Sequence, residues 1–532
     1  MRSPVARLFP VAVCMLFVLL VTYGTDSLHV RSRLLYQVDF ALHPVSHHQQ
    51  TPLDGKASPS AKHAGTRIKM NCTADYPHLN GIMQRYGLDQ RFEYLKRYVR
   101  FRRTEGLERK SMTRLSQRFL DGPLETMDLG RPLEAETACA EPLDVDVPAS
   151  PFPQTVNASE FMFGVSTTYE RFMDPETSPT SEWVYWLTDG HGSSNGGKLV
   201  LMLLKATDDE LQGVADALGD AGIDADVYHS DASEEMAVRY LGLVPTLYTH
   251  PEAAGRKWLV TCDDDTYFPS MHGLAERMAS LNHSAEMYVG TLSEDVGAVE
   301  RHGSQAFGGA GVFLSLPLAR RLTDLFGSCT TEAKVRATDT GWGPQGDMLL
   351  RNCIYQHTEA RLTTVRELWQ LDFFGDPSGF YESGMKPLSL HHYRGSGWHR
   401  AKPGEYTKVA YGCGEDCTLL RVQTADGFIL SGYSVAQYPR GVDFNTAQVE
   451  GTFSAAPPDK GWNFDFTFGP RRRSLERSGR KMAWEMEESS VQADGTVLQT
   501  YIRLKDDDRW QNRDGTAMSE VDGILELIWI PW

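Results

Sequence analysis

Three carboxylates in a row, Asp263, Asp264 and Asp265, close the stretch KWLVTCDDDTYF directly behind an apolar run that ends in a cysteine. Adjacent carboxylates repel one another, and a bound cation removes that repulsion. Carboxylate oxygens suit Mn2+ or Mg2+, ions that commonly complete their shell with diphosphate oxygens. The chemistry indicated is a metal–diphosphate site. The bland alternative is a solvated acidic loop.

Other reactive residue types follow in order. Gly308, Gly309 and Gly311 in FGGAGVFLS precede an apolar segment, where missing side chains allow close backbone approach or simply a tight turn. Asp347 in GWGPQGDMLLRNC opens a run with helical spacing; an acid in a first turn also suits the helix dipole. His391 and His392 follow the strand-like PLSL. In a strand they would face opposite ways, so at most one readily joins a given metal. A second triplet, Asp506 to Asp508 in YIRLKDDDRW, has none of this company. The residues before it read as an edge or half-exposed strand, and Lys505 and Arg509 flank it, so a solvated turn is expected.

The elements that must hold the first triplet read as an α/β domain. EFMFGVSTTY and WVYWLTDG are strand candidates, as are the continuous apolar runs KLVLMLLKA and KWLVTC. DDELQGVADALGDAGI has helical spacing, DADVYHSD reads as a short strand, and SEEMAVRYLGLVPTLYTH as a helix capped by Ser233. Strands alternating with helices indicate a largely parallel sheet, with ligands beyond the carboxyl ends of its strands. Past residue 420, GFILSGYSVAQY, KMAWEMEE, TVLQTYIRL and GILELIWIPW suggest an all-β module, expected as a sandwich.

The N-terminal side differs. Arg2 and Arg7 precede eighteen uncharged residues, Leu8 to Thr25, the length of a short membrane span. Basic residues on the short leading side favour a signal-anchor with the bulk of the chain lumenal; a cleaved signal peptide is the alternative. Both route the chain into the secretory pathway. Residues 26 to about 65 are polar and read as a stem. LDQRFEYLKRYVRFRR reads as a basic helix, and residues 121 to 155 as a linker. The expected organisation is anchor 1–25, stem 26–157, α/β domain 158–418 and β module 419–532. Sequons stand at Asn71, Asn157 and Asn282. Cys413 and Cys417 suit a local disulfide, and Cys262 a buried free thiol. The net charge of −17 argues against a nucleic-acid partner.

The ordered set WLVTCDDDTYF, YVG, FGGAGVFLS, GDMLLRNC and SLHHY resembles the Fringe-like branch of family 31 glycosyltransferases, over roughly residues 158 to 415. Fungal and plant members look closest, through QLDFFGDPSGFYESGMKPLSLHHY. The resemblance implies a GT-A fold and inverting transfer of a beta-1,3 type from a UDP-sugar to a glycan or glycoprotein acceptor. It also implies a Golgi type II membrane protein. By it, Asp265 and His391 would hold Mn2+, and Asp263 and Asp264 would contact the donor's ribose or complete the metal shell. Gly308, Gly309 and Gly311 would lie under the donor, and Asp347 would be the general base. Trp369 stands where some relatives carry a histidine, and the Asp347 segment has one aspartate where Fringe proper has two. A non-catalytic, lectin-like protein on the same fold is the main alternative, and a metal-dependent phosphate or glycan hydrolase the third.

Overall fold

The computed structural model describes residues 68–131, 139–175, 178–455 and 467–532. The expected N-terminal anchor and most of the stem lie outside the described residues. Among the described residues no helix is long and apolar enough to cross a membrane. The described residues divide between two compact units, one with 68–92 and 127–131 and the other with those of 93–126 and 139–532. In the first unit, the helix Tyr76–Tyr86 starts where the Asp75 carboxylate accepts the His78 N–H and stops at Gly87 in the left-handed conformation.

The second unit contains a seven-stranded sheet. Its strands are β1 (Phe161–Thr168), β2 (Lys198–Leu204), β3 (Ala225–His229), β4 (Trp258–Thr261), β5 (Tyr288–Gly290), β6 (Val312–Ser315) and β7 (Leu362–Thr364), in the order β7-β5-β6-β4-β1-β2-β3. All contacts are parallel except those of β6, which runs antiparallel to both β4 and β5. The helices packed on it include α1 (Asp208–Asp220), α2 (Met236–Thr249), α3 (Leu316–Cys329) and α4 (Gly346–His357). The α/β class is as the sequence indicates: β1, β2 and β4 are apolar runs because both faces are covered, and every β4 side chain is buried. Thr207 and Glu210 close α1 with a capping box.

Several local expectations are corrected. WVYWL is the helix Thr180–Leu187, whose buried Trp183, Trp186 and Leu187 keep an i, i+3, i+4 spacing. Glu235, rather than Ser233, occupies the N-cap of α2. The segment expected as a basic helix is the strand Arg91–Thr104, and the expected linker contains the strand Leu143–Pro148, which pairs with it in parallel from Val99 onward. Arg100 and Arg102 there face Asp144 and Asp146, each at 2.7 Å, so the basic run is matched across strands.

The strand-rich C-terminal region is present, but its main strands form one long sheet instead of a sandwich. Phe428–Leu430, Ser434–Gln437, Met482–Val491, Val497–Arg503 and Asp522–Pro531 follow one another antiparallel, and the last lies beside Arg91–Thr104. Val497–Arg503, read as an edge or half-exposed strand, is flanked on both sides and largely buried. Disulfides join Cys413 to Cys417, as expected, and Cys329 to Cys353, which ties the end of α3 to α4. Among the described residues Cys262 is the free cysteine, and it is buried.

Candidate active site

β4 ends at Thr261, and the chain turns through the first acidic triplet. Thr266 fixes that turn: its hydroxyl accepts the Asp263 N–H at 3.0 Å and donates to the Gly309 carbonyl at 2.7 Å. Tyr267 and Leu390 then exchange two backbone hydrogen bonds, 2.9 and 2.8 Å, which brings the residue after Leu390 to the triplet. His391 therefore reaches the acids although it is more than a hundred residues away in sequence. Its Nε2 lies 3.1 Å from Asp265 Oδ1 and 3.4 Å from Asp263 Oδ2. Burial lowers the affinity of this imidazole for a proton, but Asp265 and Asp263 outweigh it and raise its pKa to about 10. Burial alone would raise the Asp265 carboxyl; His391 holds it well below the usual carboxylate range.

The donor atoms of Asp263, Asp265 and His391 all lie within 4.8 Å of one another. A divalent cation about 2.1 Å from each ligand needs donors about 3–4 Å apart, so this oxygen–nitrogen set fits Mn2+ or Mg2+. A second group, Asp226, His250 and Glu252, is also closely spaced. There the Lys198 ammonium stands 3.1 and 3.2 Å from the two acids and already supplies the positive charge.

Asp264 is used differently. Its buried carboxylate accepts Arg171 Nε and Nη2 at 2.6 and 2.7 Å and the Thr167 hydroxyl at 2.5 Å. Arg171 sits in the short helix Tyr169–Met173 directly after β1, so this pair locks the turn after β1 to the turn after β4. Sequence reasoning missed Arg171; its only signal was its place just beyond a strand end.

The glycines have a packing reason. A Cβ on Gly309 would collide with the His391 ring, and one on Gly308 or Gly346 would collide with Tyr240. Gly311 has φ +90° and turns the chain into β6. Tyr240, from α2, donates to or accepts from the Thr261 hydroxyl at 3.1 Å. It lies within the fields of both Asp263 and Asp347.

Asp347 is the second residue of α4 and accepts the Met348 N–H at 2.8 Å. Burial and then the nearby Asp263 charge raise its pKa to about 6, against bonds from Met348, Gln305 and Gly308 that favour the ionised form. A carboxyl poised near neutrality is suited to proton abstraction.

His392 does not alternate away from His391. The strand ends at Leu390, and His392 has φ +53°, so the two rings lie 3.8 Å apart. Asp372 Oδ1 is 2.7 Å from His392 Nδ1, and Trp398 stacks on its other face at 4.3 Å. Trp369 is a buried core aromatic, stacked on Phe468. A cleft of about 440 Å3 opens over the acidic triplet and the two histidines, lined by Arg171, Arg239, Tyr240, Asp263, His391 and Trp398 among others.

The remaining predicted residues are placed as follows. Asn71, Asn157 and Asn282 are exposed in loops, and each side-chain oxygen accepts the N–H two residues on. In the second triplet, Asp507 pairs with Arg509 and Asp508 with Arg477, while Asp506 is exposed.

Residues 218–375 match the Fringe-like family model. That segment carries the triplet, the glycine turn and Asp347, and stops short of His391. The match supports a glycosyltransferase. No curated protein matches the chain. Among solved structures, similarity is found to mouse xyloside xylosyltransferase 1 in its apo form, at 11% identity over 35% of this chain and 77% of that one, with a TM-score of 0.23. The mannosyltransferase PcManGT from Pyrobaculum calidifontis, in complex with GDP-Man and Mn2+, is 13% identical over 41% and 57%, with a TM-score of 0.25. A glycosyltransferase involved in glycosylation of the major capsid of PBCV-1 is 12% identical over 47% and 98%, with a TM-score of 0.26.

Proposed function

We propose that the chain is an inverting, metal-dependent glycosyltransferase that moves a sugar from a UDP-sugar to a hydroxyl of a glycan or glycoprotein. The observation that carries this reading is the pairing of two kinds of acid at one strand edge. Asp263 and Asp265 converge on His391, while Asp347 nearby is kept near neutrality by burial and by Asp263.

Asp263, Asp265 and His391 would hold the ion. Bound there, a divalent cation supplies Lewis-acid stabilisation to the departing diphosphate. Arg239 lines the same cleft and adds positive charge for phosphate oxygens. Asp347 takes the proton from the acceptor hydroxyl as that oxygen attacks the anomeric carbon. One base and one displacement suffice, and the product is inverted. The transferred linkage is of the beta-1,3 type on the Fringe-like resemblance. Asp264 acts through Arg171, setting the turn, instead of touching the donor directly. Placement of the chain in the secretory pathway, as in a Golgi type II protein, accords with the Cys329–Cys353 and Cys413–Cys417 disulfides, which belong to an oxidising compartment.

The test is thermal stabilisation by UDP with Mn2+, followed by Mn2+-dependent hydrolysis across a panel of UDP-sugars. Stabilisation that vanishes in Asp265→Ala is expected. Equal stabilisation of wild type and Asp265→Ala, or none in either, overturns the reading.

A further inference from the structure

Trp342 is 86% exposed, the most solvent-exposed large apolar side chain among the described residues. Leaving an indole in water forfeits the burial that most tryptophans gain, and here it stands on a loop held by its own hydrogen bonds. The loop backbone that carries it is held in place. Asp339 Oδ1 accepts the N–H of Gly341 at 2.8 Å and of Gly343 at 3.1 Å. Gln345 closes the loop by donating its side-chain amide to the Gly343 carbonyl at 2.7 Å and its N–H to the Thr338 carbonyl at 3.2 Å. Asp339 and Pro344 pair as an isolated bridge across the base of the loop.

Gly341 and Gly343 flank the indole with φ of +92° and +90°, and a Cβ at either would meet nothing within 4 Å. These glycines serve the backbone turn, and they leave the space beside the ring open. The loop then runs straight into α4, whose second residue is Asp347. Trp342 stands five positions before that residue, so their Cα atoms are at most about 18 Å apart. A platform at this range lies within a few sugar rings of the base.

We propose that Trp342 is a stacking platform for a pyranose ring of the acceptor, setting which glycans present a hydroxyl to Asp347. The indole face carries negative charge density and attracts the weakly positive C–H groups of one pyranose face. The polar rim of the sugar stays in water. This inference rests on the glycosyltransferase reading and assigns the acceptor side of the same site.

The test uses the full chain with Trp342→Ala and Trp342→Phe. With UDP-sugar and Mn2+ alone, hydrolysis by water is expected to be unchanged in both. With a panel of methyl pyranosides as acceptors, Trp342→Ala is expected to raise the acceptor KM about tenfold, equivalent to about 1.4 kcal/mol, and Trp342→Phe to recover most of it. In parallel, iodide quenching of tryptophan fluorescence reads the exposed indole directly, and a bound pyranoside is expected to shield the component that Trp342→Ala removes. Unchanged acceptor KM in Trp342→Ala overturns the proposal. So does a panel in which no pyranoside is accepted and none shields the indole. Loss of donor hydrolysis and UDP binding in the wild type would instead strike the glycosyltransferase reading, and shielding would still decide the platform.

Discussion

Gly309 and His391 compete for the same space: a Cβ added at Gly309 would come within 2.1–2.3 Å of three imidazole ring atoms. The glycine turn therefore governs where the only nitrogen ligand of the proposed cation site can sit. The Gly309 carbonyl is itself pinned by Thr266, so the turn cannot easily retreat. Gly309→Ala is expected to displace His391 from Asp265 and lower Mn2+ affinity about 10- to 100-fold. The overpacking would cost about 1–3 kcal/mol of stability. A Mn2+ titration followed by thermal shift checks this, and wild-type affinity in Gly309→Ala would show that the glycine has another purpose.

Asp347 carries a prediction about both rate and stability. Its pKa is raised from 3.8 to about 6 in the folded chain. The folded state thus holds this proton more tightly than the unfolded state does. The stabilisation is full below about pH 4 and is lost as pH rises through about 6. Asp347→Asn removes the buried charge, so above pH 6 the variant should be more stable than wild type, by at most about 3 kcal/mol at 1.4 per unit. The same change should lower transfer about 10²- to 10⁴-fold. Wild-type rates should rise with pH along a limb set by this carboxyl. Because Asp263 contributes to the raised value, a cation held by Asp263 should move that limb below 6. Urea melts at pH 5 and 8 with a pH–rate profile decide the matter; equal stabilities at both pH values would remove the argument.

The α/β order was legible because its signals are local and strong. Strands buried on both faces read as apolar runs, and the helical spacing of DDELQGVADALGDAGI marks α1. The triplet, Asp347 and His391 were legible as residue types with an order, and the structure brings all of them to one strand edge. What failed was whatever depended on partners distant in sequence. Arg91–Thr104 carries apolar residues at spacings that pass for a helix until its arginines meet Asp144 and Asp146 on another strand. Strand alternation placed His391 and His392 on opposite faces, yet the strand ends one residue earlier and a positive φ at His392 undoes the alternation. Nothing in the sequence discloses that Arg171, ninety-three residues before Asp264, claims both of its carboxylate oxygens.

That claim can be measured. Arg171 is partly exposed, while Asp264 is nearly fully buried. Deleting the arginine leaves a buried carboxylate with only Thr167 among its side-chain donors. Arg171→Ala should cost about 1–3 kcal/mol of stability. Arg171→Lys should recover only part of it, since an ammonium cannot give the two parallel bonds at 2.6 and 2.7 Å. Asp264→Asn in the Arg171→Ala background should relieve most of the loss. A double-mutant cycle by chemical denaturation tests the coupling, and additive losses would mean the two residues act separately.

The two aspartate triplets supply the sharpest comparison, because the letters are the same and the surroundings are not. Asp508 pairs with Arg477 where both side chains are mostly exposed, and Asp506 stands in solvent at the same turn. Exposed pairs of that kind contribute about 0.2–1 kcal/mol and need no ion. Asp507 is engaged by Arg509, which also meets Asp376 and Glu485. The first triplet instead has two acids sharing one imidazole, and its arginine is bound to the third acid. Asp506→Asn and Asp508→Asn should therefore leave Mn2+ affinity and transfer within about twofold of wild type, since neither has any coupling to the site. Asp265→Asn should lose at least about tenfold in affinity, as a direct ligand must lose no less than a supporting group. Metal titrations on the three variants, run at one pH, settle it: a loss in Asp508→Asn as large as that in Asp265→Asn would place the cation at the wrong triplet.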